Sequence, residues 1–154
     1  FVGGIDFGWN DPFAAVCGFV DNNDCLWVWY ERYKSETPIE DHATALPKFA
    51  DRTIKWYADH EPEYIRKLQK GGHKVKKANK AIIAGIDAVN RRIYTDRLKI
   101  LCNRCPALKA EAESYCYPAN DEEQIVGDKP QGGDDHALDA LRYMIVGLDI
   151  KKAA

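Results

Sequence analysis

The chain is predicted to be an α/β domain, with a central mixed sheet and helices on both faces. Three observations lead there. Three apolar or aromatic runs separated by short polar stretches open the chain, and helical and extended patterns then alternate to its end. The 154 residues, 45% of them hydrophobic and 30% charged, suit one domain with its own core, placed at 1–150. Three successive strands read as an antiparallel meander, and the later alternation adds parallel strands, for five or more in all.

The elements follow in order. Residues 2–6 form a short apolar run ending in Asp6, and 13–20 form a second, with a loop at 8–12 between them. Asp21, Asn22, Asn23 and Asp24 carry turn chemistry, and 25–33 is aromatic and β-branched enough for a third strand. At 37–40 Thr37 offers a cap, Pro38 suits the first helical position and Glu40 completes a capping box. That helix is expected to reach about residue 50, unless Pro47 shortens or kinks it. A fourth strand at 53–58 ends at Asp59, and Pro62 opens a helix that stops at Gly71 and Gly72. Next come a strand at 73–77 and a helix at 80–94, with Ile82, Ile83, Ile86, Val89 and Ile93 at helical spacing. A short strand at 98–101, a helix at 107–115 and a Pro-, Gly- and acid-rich loop at 117–133 precede the last helix, 134–148. Its apolar face is Ala137, Leu138, Leu141, Met144, Ile145 and Leu148; at about 100° per residue, Asp135, Asp139 and Arg142 share another stripe.

Composition excludes several classes. No run approaches the roughly 18 apolar residues of a membrane span, and the opening residues are not a signal peptide, so a membrane partner and secretion are not expected. The chain lacks an initiator Met and opens directly into an apolar run, which reads as a piece of a longer protein cut just before a strand. Five cysteines without secretory context imply reduced thiols in a cytoplasmic setting. Cys102 and Cys105 form a lone C-x-x-C with only Cys116 nearby, short of the four ligands of a structural zinc. The net charge of −2 hides an asymmetry: residues 66–99 hold eleven Lys and Arg against two Asp. Such a segment beside an acidic remainder fits a polyanion partner with a carboxylate-rich site; a solvated helix face explains the charge equally well.

The acids carry the chemistry. Asp6 and Asp59 each end a strand, where open α/β sheets bind ligands. Asp134, Asp135 and Asp139 gather at the start of the last helix. Carboxylates brought together need a counter-ion, and magnesium or manganese prefers such oxygens. A pair of these ions serves phosphodiester cleavage. Each acid also has a structural explanation: Asp6 closing a strand, Asp59 capping a helix, Asp134 at the natural N-cap of the last helix and Asp139 pairing with Arg142. His136 is expected to face solvent, although it could orient a carboxylate or shuttle a proton. Lys80 is either a surface lysine or a group reaching a scissile phosphate.

These residues form a familiar series. GIDFGWNDP at 4–12, Asp59 after the fourth strand, the G-H-x-V strand, Lys80 with Gly85 and Ile86, the tyrosine of E-S-Y-C-Y and GGDDHALDALRY at 132–143 resemble the nuclease domain of phage large terminase subunits. The resemblance spans essentially the whole chain. It implies an RNase H-like fold and cleavage of concatemeric double-stranded DNA with two Mg2+ or Mn2+ ions. Asp6, Asp59 and Asp135 are then the principal acids, Asp134 and Asp139 auxiliary ligands and Lys80 a helper, with Glu61 the alternative to Asp59. It further implies phosphate contacts from the basic segment (Lys74, Lys76, Lys77, Lys80, Arg91 and Arg92 among them), with little sequence readout. In the full-length protein, an ATPase domain, the portal and the small terminase subunit are the implied partners, and the host cytoplasm during viral assembly the implied location. No G-x-x-x-x-G-K-[ST] loop occurs, so no ATP hydrolysis is expected of this chain. The rival readings are a Holliday-junction resolvase or transposase of the same fold, a non-catalytic DNA-binding or docking module, and a zinc or redox module at Cys102 and Cys105.

Overall fold

The computed structural model describes residues 1–115 and 133–150. Six strands form one sheet: β1 (Val2–Asp6), β2 (Phe13–Val20), β3 (Leu26–Lys34), β4 (Lys55–Ala58), β5 (Lys74–Lys77) and β6 (Leu98–Ile100), in the order β5-β4-β1-β2-β3-β6. β1, β2 and β3 are the expected antiparallel meander. β4 joins β1 in parallel, β5 joins β4 in parallel, and β6 adds to β3 in parallel. Helices α1 (Ile39–Ala45), α2 (Pro62–Lys70), α3 (Ile82–Tyr94), α4 (Pro106–Ser114) and α5 (His136–Asp149) complete the described chain.

Alternation along the strands divides the core in two. Ile5, Phe13, Ala15, Trp56 and Val75 face α1 and α2, where they meet Ile39, Ala43, Leu46 and Leu68. Val2, Ala14, Val16, Val28 and Tyr57 face the other way, onto Ala137, Ala140, Leu141, Met144 and Ile145 of α5, with Leu108 of α4 and Ala88 of α3. α5 lies across β1, β2 and β4. The approach is so close that a Cβ on Gly4 would strike the backbone carbonyl of Ala140. The α5 sequence is therefore buried nearly all round, from Ala137 through Gly147, more than its apolar stripe alone foretells.

Three local expectations give way. α1 ends at Ala45, not near residue 50, because Pro47 forces Leu46 into an extended conformation (ψ 138°). Its capping box does not form: Pro38 is the N-cap, and the Thr37 hydroxyl donates to the Ser35 carbonyl instead. α3 keeps Val89 against the core but turns Ile82, Ile83 and Ile93 of its apolar stripe outward. Ile83 and Ile93 are 51% and 54% exposed, whereas Gly85, Ala88 and Arg92 are buried. Buried Arg92 donates to both carboxylate oxygens of Asp149 (2.8 and 2.7 Å) and to the Asp24 carbonyl (3.0 Å). A satisfied, planar guanidinium thus displaces the isoleucines from the seam. The loop at 117–133 and Cys116 fall largely outside the described residues.

Candidate active site

The register of the sheet brings the first two acids together. Ile5 pairs with Ala58 across the parallel β1–β4 ladder, and the Asp59 N–H donates to the Ile5 carbonyl (3.1 Å). Asp6 and Asp59 are therefore neighbours at the same end of adjacent strands. Both follow, by alternation, residues that face α5: Val2 and Gly4 before Asp6, Tyr57 before Asp59. β1 and β4 present their carboxylates to the helix that carries the remaining acids.

α5 delivers them one turn at a time. Asp135 is the N-cap residue but makes no side-chain capping bond, and exposed Asp134 lies outside the helix. The expected cap at Asp134 is replaced from a distance. Glu111 of α4, buried, accepts the Leu138 N–H (2.9 Å) and the Tyr33 hydroxyl (2.7 Å). The sequence holds no local signal for this contact, which joins residues 27 positions apart. A buried carboxylate at the helix N-terminus frees the two aspartates from capping.

His136 does not face solvent. Its Nδ1–H donates to Asp6 Oδ2 (3.0 Å), with the imidazole side chain only 18% exposed. Asp59 is paired with Lys80, whose Nζ lies 2.6 Å from Oδ1, and it also accepts the His60 N–H. Asp139 is paired with Arg142 at 2.6 Å. Each of the three inward acids thus has a basic partner of its own.

Charge repulsion reports how close the acids come. Burial pushes Asp6 up to about 6; the His136 bond opposes this, and the charges of Asp139 and Asp59 add to it. The Tyr143 hydroxyl, raised first by its burial, feels Asp139, Asp6 and Asp59 together. Asp135 is raised by burial and then by Asp139. Burial also raises Asp59, but the Lys80 and His60 bonds outweigh it and leave the carboxyl below its usual range. At His136 burial disfavours the imidazolium, yet Asp6, with Asp11 and Glu111 behind it, holds the ring above its ordinary value. The acids that act on Asp6 are Asp139 and Asp59, while Asp135, on the rim, feels Asp139.

Among the described residues no three His, Cys, Asp or Glu side chains stand close enough to hold one ion as they are arranged. The donor set nonetheless suits a hard divalent cation. It consists of carboxylates, it is partly desolvated, and the charges of Asp139 and Asp59 still bear on Asp6 in spite of their basic partners. The basic residues are distributed unevenly around it. Lys74, Lys76 and Lys77 are exposed on the edge strand β5, and Arg91 is exposed on α3. Arg92 is 1% exposed and engaged by Asp149 and Asp24, so its guanidinium is not available to a phosphate.

A mixed sheet in this order, with acids at the ends of two adjacent parallel strands and a helix crossing them, is an RNase H-like fold. The chain belongs to the terminase RNaseH-like domain family, whose model matches residues 3–148. Similar solved structures agree on the fold. The nuclease domain of the g2p large terminase of bacteriophage SPP1, crystallised with bound Mn, superimposes with a TM-score of 0.76 at 22% identity, covering 96% of this chain and 85% of that one. The large terminase of the thermophilic bacteriophage D6E gives 0.76 at 19% identity over 96% of this chain, which spans 39% of the D6E protein. No curated protein matches in sequence.

Proposed function

We propose that this domain is a divalent-metal-dependent endonuclease that cleaves concatemeric double-stranded DNA, with little sequence preference, as the nuclease part of a viral DNA-packaging terminase. The observation that carries the reading is the juxtaposition of Asp6, Asp59 and Asp139 at one end of the sheet, each already drawing a basic side chain. Family membership and the manganese in the SPP1 domain support it. Asp6, Asp59 and Asp139 would hold two Mg2+ or Mn2+ ions, with Asp135 on the rim and Asp134 beyond it. The bound ions supply Lewis acidity that lowers the pKa of water and offsets charge on the scissile phosphate. Lys80, 44% exposed, is free to leave Asp59 for a phosphate oxygen. His136 keeps the Asp6 carboxylate oriented through Nδ1–H and can accept or return a proton at its other ring nitrogen, Nε2.

Lys74, Lys76, Lys77 and Arg91 would track the DNA backbone without reading bases, which leaves target choice to other parts of the machine. The ATPase domain, portal and small terminase subunit are the partners this reading requires, and the host cytoplasm during viral assembly is its location.

Cleavage of supercoiled plasmid by the purified chain tests the proposal, with manganese, magnesium or EDTA. Metal-dependent nicking and linearisation are expected, lost in Asp6→Asn, Asp59→Asn and Asp139→Asn and partly retained in Asp135→Asn. The reverse order for Asp135 and Asp139 would return the third ligand to Asp135. Cutting that survives Asp6→Asn would remove the site, and preference for four-way junctions over plain duplex would favour a resolvase. A wild-type chain that binds neither metal nor releases product would be a docking module.

A further inference from the structure

Arg142 is 7% exposed, yet nothing in the cleavage chemistry uses it. Its guanidinium reaches two places at once. Nη2 donates to Asp139 Oδ1 (2.6 Å), and Nη1 points to the Lys80 and Ala81 carbonyls (3.3 and 3.4 Å). Lys80 in turn carries its ammonium to Asp59. One side chain of α5 therefore connects an acid of its own helix to the backbone of the residue that partners a strand acid. The fold makes room for it: a Cβ on Gly85 would lie 2.6 Å from both Cγ and Cδ of Arg142. The stretch from Lys80 to Gly85 thus supplies both the carbonyl that Arg142 binds and the gap through which its stem passes.

We infer that Arg142 is a positioning residue for the metal centre, holding Asp139 with one edge of its guanidinium and the Lys80 segment with the other. This rests on the metal-dependent reading above. Among the described residues only Oδ1 of Asp139 is hydrogen-bonded, which leaves Oδ2 to bind an ion. Carboxylate ligands fixed in this way by an outer partner are oriented for the metal before it arrives. A lysine cannot do the same, because its single ammonium lacks the planar fork that serves two directions.

The test is calorimetric titration of Mn2+ into the wild-type chain, Arg142→Met, Arg142→Lys, Gly85→Ala and Asp6→Asn, each checked for folding by circular dichroism. Loss of a nearby positive charge would by itself tighten cation binding. Positioning predicts the opposite, with Mn2+ affinity about 10–100-fold weaker in Arg142→Met, a loss that Arg142→Lys does not restore. Gly85→Ala keeps the charge but displaces the arginine stem, and it decides the matter if Arg142→Met does not fold; the same weakening is expected. Mn2+ affinity equal to or tighter than wild type in a folded variant overturns the positioning role. Absence of Mn2+ binding by the wild-type chain, or undiminished binding by Asp6→Asn, overturns instead the metal-dependent reading beneath it.

Discussion

Asp6 is costly to the fold that contains it. Its carboxyl titrates at about 6 in the folded chain against an ordinary 3.8, so the native state binds the proton more tightly than the unfolded chain does. The contribution of Asp6 to stability is therefore fully present below pH 3.8 and is lost as pH rises through 6. At pH 7 in EDTA, Asp6→Asn should be more stable than wild type by about 1–3 kcal/mol in urea unfolding, while losing cleavage. An equal or lower stability would mean that the His136 bond already offsets the burial. Asp6 was legible in the sequence because it ends an apolar run. Its bond to His136 was not, since it joins residues 130 positions apart and only the packing of α5 on β1 creates it.

At the scale of elements, β5 and α3 divide the basic segment into exposed and buried charges that charge counting cannot separate. β5 is the outermost strand, and Lys74, Lys76 and Lys77 are exposed on it. Their joint replacement by alanine should weaken binding of duplex DNA. It should also lower the slope of log affinity against log salt by up to about 0.9 for every phosphate that is no longer neutralised. Arg92→Met should leave that slope unchanged but cost about 3 kcal/mol in folding, because Asp149 and Asp24 would be left without their buried partner. A slope change in Arg92→Met without destabilisation would restore the residue to the DNA surface. The helical period of α3 was readable, but which face it buries was not. Periodicity marks isoleucines as inward, and a buried arginine overrules them only where acids from the β2–β3 turn and the end of α5 converge.

Across the whole molecule, the meander, the parallel additions and the helix order were legible because each rests on local patterning and on turn or cap residues. What escaped depends on residues distant in sequence: the Glu111 cap on α5 and the Arg142 bonds to the Lys80 and Ala81 carbonyls just before α3. The α1 face adds a pH dependence of its own. His42 is buried, stacked on Phe13 (3.8 Å, 10°), and accepts the Arg32 Nε–H at Nδ1 (2.8 Å). Burial, with the charge of Arg32, pushes it from 6.5 down to about 4. Its contribution is complete above pH 6.5 and is lost as pH falls through 4. From pH 7 to pH 5 the wild-type chain should lose about 2 kcal/mol more than His42→Gln, with the Asp6 effect common to both and so cancelling. Parallel pH profiles for the two would remove His42 from the acid response.

The three pairs His136–Asp6, Lys80–Asp59 and Arg142–Asp139 set this domain apart from small modules that stay unfolded until an ion gathers their ligands. Here the polypeptide brings basic side chains of its own to the acids, so packing α5 on the sheet does not leave those carboxylates without partners. On the metal-dependent reading proposed above, folding and metal loading would then be separate events: a freshly synthesised chain would not compete for scarce manganese in order to survive, and ion supply would govern cutting without putting the folded protein at risk.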